Sequence, residues 1–144
     1  MSTILEIMSR DHRRCDEDFS QTEQLVADGD WSGGQQAFAG FRDSTERHFA
    51  TEEELLFPRF EQQTGHTMGP TQVMRMEHIQ MRHLFEDMQQ AIANRDKKRY
   101  LGLSETLMMI IQQHNMKEEQ MLYPMMDQVI GADANQLLER VAST

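Results

Sequence analysis

The chain has 144 residues and a formal net charge of −10, with a pI of about 4.9. That length suits one domain built on one core, and the charge excludes nucleic acid and anionic membrane surfaces as partners, because no basic stripe exists to neutralise phosphates. No apolar run is long enough to span a bilayer, the N-terminus lacks the charged start and long apolar stretch of a secretory signal, and a lone Cys15 leaves no internal disulfide, so the expected setting is reducing and cytoplasmic.

Every segment has helical periodicity and none alternates as a strand. Thr3 with Glu6 makes a capping box that opens a first helix, expected to run to about Asp28. Gly29-Asp30 and Ser32-Gly33-Gly34 interrupt it, and Ser32 with Gln35 is the expected start of a second helix. Gly65 and Gly69-Pro70 mark a central loop. A third helix is expected from about Thr71 to Asn94, with Asp96 capping a fourth that reaches about Val129. Lys97-Lys98-Arg99 falls at that junction. Gly131 stops the fourth helix, and Asp133 with Gln136 is expected to begin a short C-terminal helix over about 133–142. Pro58 and Pro124 remove backbone donors, so helices two and four are expected to kink or end there. The resulting fold class is all-α: an up-down-up-down four-helix bundle over about residues 3–129 with a short extra helix, a single domain across 1–144.

One set of residues occurs twice at a constant offset of 66 positions. His12 matches His78, His48 matches His114, and Glu52 matches Glu118. The segments His48–Pro58 and His114–Pro124 both read H-x3-E-E-x-x-L-[FY]-P, and the outer histidines share a context, Asp11-His12 and Glu77-His78. Each half is then one helical hairpin, the two related by an approximate two-fold axis on or near which the shared residues would meet.

His and Glu four residues apart lie one above the other on a helix. Their neighbours are mostly apolar at helical spacing: Met8-His12-Cys15-Phe19, Phe41-Thr45-His48-Glu52-Leu55, Met74-His78-Met81-Phe85 and Leu107-Ile111-His114-Glu118-Met121. Those faces must turn inward and bury four imidazoles with two carboxylates. A buried carboxylate is costly without a partner, and no Lys or Arg recurs in these stripes, so a cation is the simplest compensation. A lone core histidine is ordinarily a hydrogen-bonded packing residue, but six matched positions on inward stripes are not scattered histidines. The set His12, His48, Glu52, His78, His114 and Glu118 suits two metal ions bridged by the glutamates, with iron, manganese or zinc compatible with the donors. An incomplete shell would leave room for a small molecule such as dioxygen or nitric oxide.

These residues resemble the hemerythrin HHE cation-binding domain, the match covering about residues 4–129. The resemblance implies a non-heme di-iron centre in which Glu52 and Glu118 bridge two iron ions, together with an oxo or hydroxo group. Oxygen-carrying hemerythrins have H-x3-H on the third helix and an aspartate five after the last histidine; here those places hold Arg82 and Glu119. The pattern is more similar to the four-histidine, two-glutamate branch, which implies oxygen binding or nitric oxide chemistry in nitrosative and oxidative stress. Iron handling and donation for iron-centre repair is an alternative, as is a di-iron peroxidase or nitric oxide reductase. Repair-type members commonly carry a cysteine-bearing segment before the bundle, whereas this chain begins almost directly with helix one. The implied partners are dioxygen, nitric oxide or peroxide, and the chain is expected to be a monomer or homodimer.

His83 lies five residues after His78, about 140° away on a regular helix, and is not counted among the ligands. Glu53 and Glu119 are expected to be solvated or paired between helices, His66 to lie in a loop, and Phe57 and Tyr123 to pack near the bundle end. Cys15 is expected to be a small core filler. The 13 methionines are expected to fill irregular gaps in the core, which would leave it open to oxidation.

Overall fold

The structure, a computed structural model, describes residues 2–66, 68–131, 136 and 138. Its helices are α1 (Ile4–Ala27), α2 (Trp31–Ala50), α3 (Phe57–Thr64), α4 (Pro70–Ala93), α5 (Lys97–Lys117) and α6 (Tyr123–Ile130). Two π-helical turns, Thr51–Leu56 and Glu118–Leu122, join α2 to α3 and α5 to α6. The result is four long antiparallel rods, with no strand among the described residues. None of the described helices is long and apolar enough to cross a membrane.

Caps set the ends of the rods. Thr3 Oγ1 accepts from the Glu6 amide at 3.1 Å, as the capping box requires. Asp127 of α6 adds a second cap, accepting from the Ile4 and Leu5 amides at 2.8 and 3.2 Å. That carboxylate sits against the positive end of α1 and ties the last rod to the first. The second helix opens earlier than its Ser32 signal: Asp30 is the cap, its Oδ1 accepting from Gly33 at 2.9 Å. Asp96 caps α5 as expected, through the Arg99 amide. The turn after α1 depends on Gly29 at φ 79°, a left-handed conformation unfavourable for a side chain.

Neither proline ends its rod. The Phe57 amide donates to the carbonyl of Glu52 and the Tyr123 amide to that of Glu118, so each closes one five-residue turn just before the proline. The extra residue rotates everything after it. Consequently Leu56 and Leu122 face the core, while Leu55 is half-buried and Met121, expected on the inward stripe, is 61% exposed.

Two apolar clusters fill the bundle. One holds Ile4, Met8, Phe57, Met74, Leu122 and Met126; the other holds Phe19, Phe41, Phe49, Met81, Phe85 and Leu107. In α1 and α4, and in the rods that include α2 and α5, the histidine lies in sequence between contributions to the two clusters. The polar site is therefore sealed above and below by hydrocarbon. Methionine fills the core at Met8, Met74, Met81, Met88 and Met126, but Met68, Met76, Met109, Met116 and Met121 lie on the surface. Cys15 is half-buried. Burial pushes its thiol up to about 11, against a hydrogen bond with Thr45, so it remains a protonated filler. The expected C-terminal helix lies largely outside the described residues; Gln136 and Leu138 are helical, and Leu138 packs on the first cluster.

Candidate metal centre

The six residues of the repeated pattern converge between the two clusters. Glu52, His78 and Glu118 are fully buried, and His12, His48 and His114 nearly so. Glu118 Oε1 stands 3.1 Å from His12 Nε2 and 3.3 Å from His114 Nε2. Glu52 Oε1 stands 3.2 Å from His78 Nε2 and 3.5 Å from His48 Nε2. Metal–ligand bonds of about 2.1 Å separate neighbouring donors on one ion by about 3 Å, so these spacings match donors that share ions. The atoms form two groups: His12, His48 and Glu118, and Glu52, His78, His114 and Glu118. The paired histidine rings are 4.7 Å apart for His12 and His48, and 5.0 Å for His78 and His114.

Each histidine is held from behind by a carboxylate on another rod. His48 Nδ1 donates to Asp11 at 2.8 Å, His78 Nδ1 to Glu53 at 2.6 Å, His114 Nδ1 to Glu77 at 2.8 Å and His12 Nδ1 to Glu119 at 2.8 Å. The links run α1 to α2, the turn after α2 to α4, α4 to α5, and the turn after α5 back to α1, closing a ring around the bundle. With Nδ1 so occupied, Nε2 is the ring nitrogen turned inward, the orientation a metal-binding histidine needs. Three of the carboxylates are braced in turn. Arg82 grips Glu53 with both Nη atoms at 3.0 and 3.1 Å and also donates to Glu46; Lys117 pairs with Glu77 and Arg14 with Asp11. Glu53 and Glu119 are thus paired between helices, as expected, with the ring nitrogens as partners.

Electrostatics shows how unsatisfied this cluster is. Burial, and then the charge of Glu118, push the Glu52 carboxyl well above the usual range. Burial also acts to raise Glu118, but the hydrogen bond with Glu52 and the histidines His114 and His12 outweigh it and hold Glu118 well below that range. Burial lowers His78 to about 4 and keeps His48 below its ordinary value. Even so, Glu52 Oε1, Glu118 Oε2, His78 Nε2 and His114 Nε2 are buried with no hydrogen-bond partner. Orphaned donors and acceptors at this depth are costly, and a cation facing all of them removes that cost. The residues present therefore fit a metal ion.

His83 and His66 are exposed and belong to neither donor group. The placement of Tyr123 near the bundle end needs correction. Its hydroxyl donates to Glu52 Oε2 at 2.8 Å and lies 3.2 Å from His12 Nε2 and 3.4 Å from His48 Nε2. Phe57, its counterpart, stacks on His78 at 5.9 Å, with Phe49 on the same ring at 3.8 Å. Sequence reasoning left Asp11, Glu53, Glu77 and Glu119 without a role at the site, although all four recur at the 66-residue offset. Outside the core, a cleft of about 640 Å³ on the α1–α2 seam is lined by Met8, Asp11, Arg14, Arg47, His48 and Leu138, and reaches the site at His48.

A four-rod bundle closing over a carboxylate-braced His/Glu cluster defines a metal-ion-binding helical protein. The family model for the hemerythrin HHE cation-binding domain matches residues 3–126, and the chain belongs to that family. Neither the curated proteins nor the solved structures include a match to it.

Proposed function

We propose that the protein holds two non-heme iron ions and binds a small diatomic ligand, dioxygen or nitric oxide, in the response to oxygen, nitrosative or oxidative stress. The observation that carries this reading is the set of buried, unpartnered donor atoms on Glu52, His78, His114 and Glu118, arranged in two groups that share Glu118. His12 and His48 would hold one ion, His78 and His114 the other, with Glu118 and Glu52 spanning them. Imidazole with carboxylate suits iron, with manganese or zinc as substitutes. Ferrous ions in such a site would supply electrons and open positions for a diatomic molecule.

The protein's own residues account for the rest. Asp11, Glu53, Glu77 and Glu119 orient the imidazoles so that their Nε2 atoms face the centre. The two apolar clusters exclude bulk water. The cleft beside His48 gives a small molecule a short approach from the surface. The lone thiol and acidic balance suit a cytoplasmic setting.

The test is elemental analysis with Mössbauer spectroscopy of iron-loaded protein, followed by gas exposure of the reduced form. About two irons per chain and an optical change reversed by evacuation are expected. Rapid consumption of nitric oxide or peroxide under reductant would instead make the protein an enzyme. Ready transfer of iron to an apo acceptor would make it a donor. A chain that takes up no iron would end the proposal.

A further inference from the structure

The two halves of the centre differ at one position. The 66-residue offset pairs Phe57 with Tyr123, and both side chains are fully buried. The donor group around His78 and His114 has four members, whereas the group around His12 and His48 has three. Tyr123 Oη lies in the poorer group, 3.2 Å and 3.4 Å from the two Nε2 atoms. Its 2.8 Å contact with Glu52 Oε2 completes a set of separations matching those among the other six donors.

The backbone explains how the phenol reaches this place. Tyr123 is five residues after Glu118, which on a regular α-helix would turn it about 140° away. The π-helical turn closes on the Tyr123 amide and the Glu118 carbonyl, so Tyr123 stands one turn above Glu118 on the same face. The turn that aims Glu118 into the centre therefore aims the phenol there as well.

We propose that Tyr123 Oη is a ligand of the ion held by His12 and His48, so that the two metal positions are chemically unlike. This rests on the metal reading above. On binding ferric iron the phenol O–H bond breaks, an oxygen–iron bond forms and the proton leaves to solvent, with no change of oxidation state. A phenolate is an anionic oxygen donor of a kind that iron accepts in other proteins. The other position has no counterpart, because Phe57 offers only a ring face to His78.

The experiment is visible absorption and resonance Raman spectroscopy of the iron-loaded, oxidised full chain, with iron content measured on the same samples. The wild type should show a phenolate-to-iron charge-transfer band and enhanced ring vibrations of a coordinated tyrosine. Tyr123→Phe should lose both while still binding iron. Tyr100→Phe, at the only other tyrosine, should keep both. Wild-type protein that holds iron without these vibrations, or a Tyr123→Phe variant that retains them, overturns the ligand assignment and leaves the metal reading standing. Wild-type protein that binds no iron overturns both. Should Tyr123→Phe fail to fold, the isotope shift of wild-type protein carrying ring-deuterated tyrosine decides: a shifted band supports ligation, and no tyrosine band refutes it.

Discussion

Asp11 holds His48 rather than its own neighbour His12, with Nδ1 of His48 2.8 Å from Asp11 Oδ2. Glu77 repeats the relationship with His114 at 2.8 Å. In both hairpins the residue before one site histidine holds the site histidine on the next rod, so each helix supports its neighbour's histidine as well as carrying its own. Carboxylates behind metal-binding histidines typically account for about 10–100-fold in metal affinity. Asp11→Ala and Glu77→Ala should each weaken metal binding by roughly that factor with the fold retained. Competition against a chelator measures it, and an affinity within twofold of wild type would show that the braces do not orient the ligands.

Much of this was legible before any coordinates. The helices, the inward stripes and the six convergent residues follow from 3.6-residue periodicity and a constant offset. Two things were not. The π-helical turns leave no trace in an α-helical wheel, so the wheel puts Met121 on the inward stripe, where the structure has Leu122, and leaves Tyr123 at the bundle end instead of at the site. The ring of Asp11, Glu53, Glu77 and Glu119 depends on which rods are adjacent, which a hairpin repeat alone leaves open. The Phe57/Tyr123 difference was visible, but a hydroxyl gained at one of two equivalent places has meaning only once the turn is known.

Glu52 and Glu118 have different duties without metal, although the repeat makes them equivalents. Burial with the charge of Glu118 pushes the Glu52 carboxyl well above the usual range, which favours its neutral form, and Glu52→Gln mimics that form. That variant should keep the metal-free melting temperature close to wild type while losing at least one metal and the stabilisation that binding confers. Glu118→Gln removes the anion facing His12 and His114 and should destabilise the metal-free fold by about 3 kcal/mol. Thermal melts with and without metal check both, and equal metal-free losses would contradict the division of roles.

Acid should empty the site. Burial and the Glu118 charge raise Glu52. Burial lowers His12 and His114, but Glu118 with Glu119 or Glu77 raises both above their ordinary value. Groups raised in the metal-free fold carry protons that ligation must displace. Their protonation stabilises that fold at low pH, and the contribution fades as pH rises through the raised values. His78, at about 4, has no proton to shed near neutrality. Metal affinity, and the rise in melting temperature on adding metal, should therefore grow with pH between about 5 and 8. A flat or inverted profile would be incompatible with these protonation states.

His83→Ala should retain full metal content, because His83 is exposed on a regular stretch of α4, where no π-helical turn rotates it inward. His78→Ala should empty a position, as it removes a fully buried donor stacked on Phe49. Metal analysis of the two variants side by side distinguishes them; loss of metal from His83→Ala alone would reassign the ligand on this helix.

The register of the second π-helical turn can be tested without metal. Leu122 is 2% exposed and Met121 61%, the reverse of what an uninterrupted α-helix through Glu118 would give. Leu122→Ala should cost about 2–5 kcal/mol through the cavity it leaves in the first cluster. Met121→Ala should change stability by no more than about 0.5 kcal/mol. Urea unfolding of the metal-free variants gives both values. If Met121 proved the costlier truncation, the helix would continue in α register, Tyr123 would swing about 140° from Glu118, and the phenol would lie outside the centre.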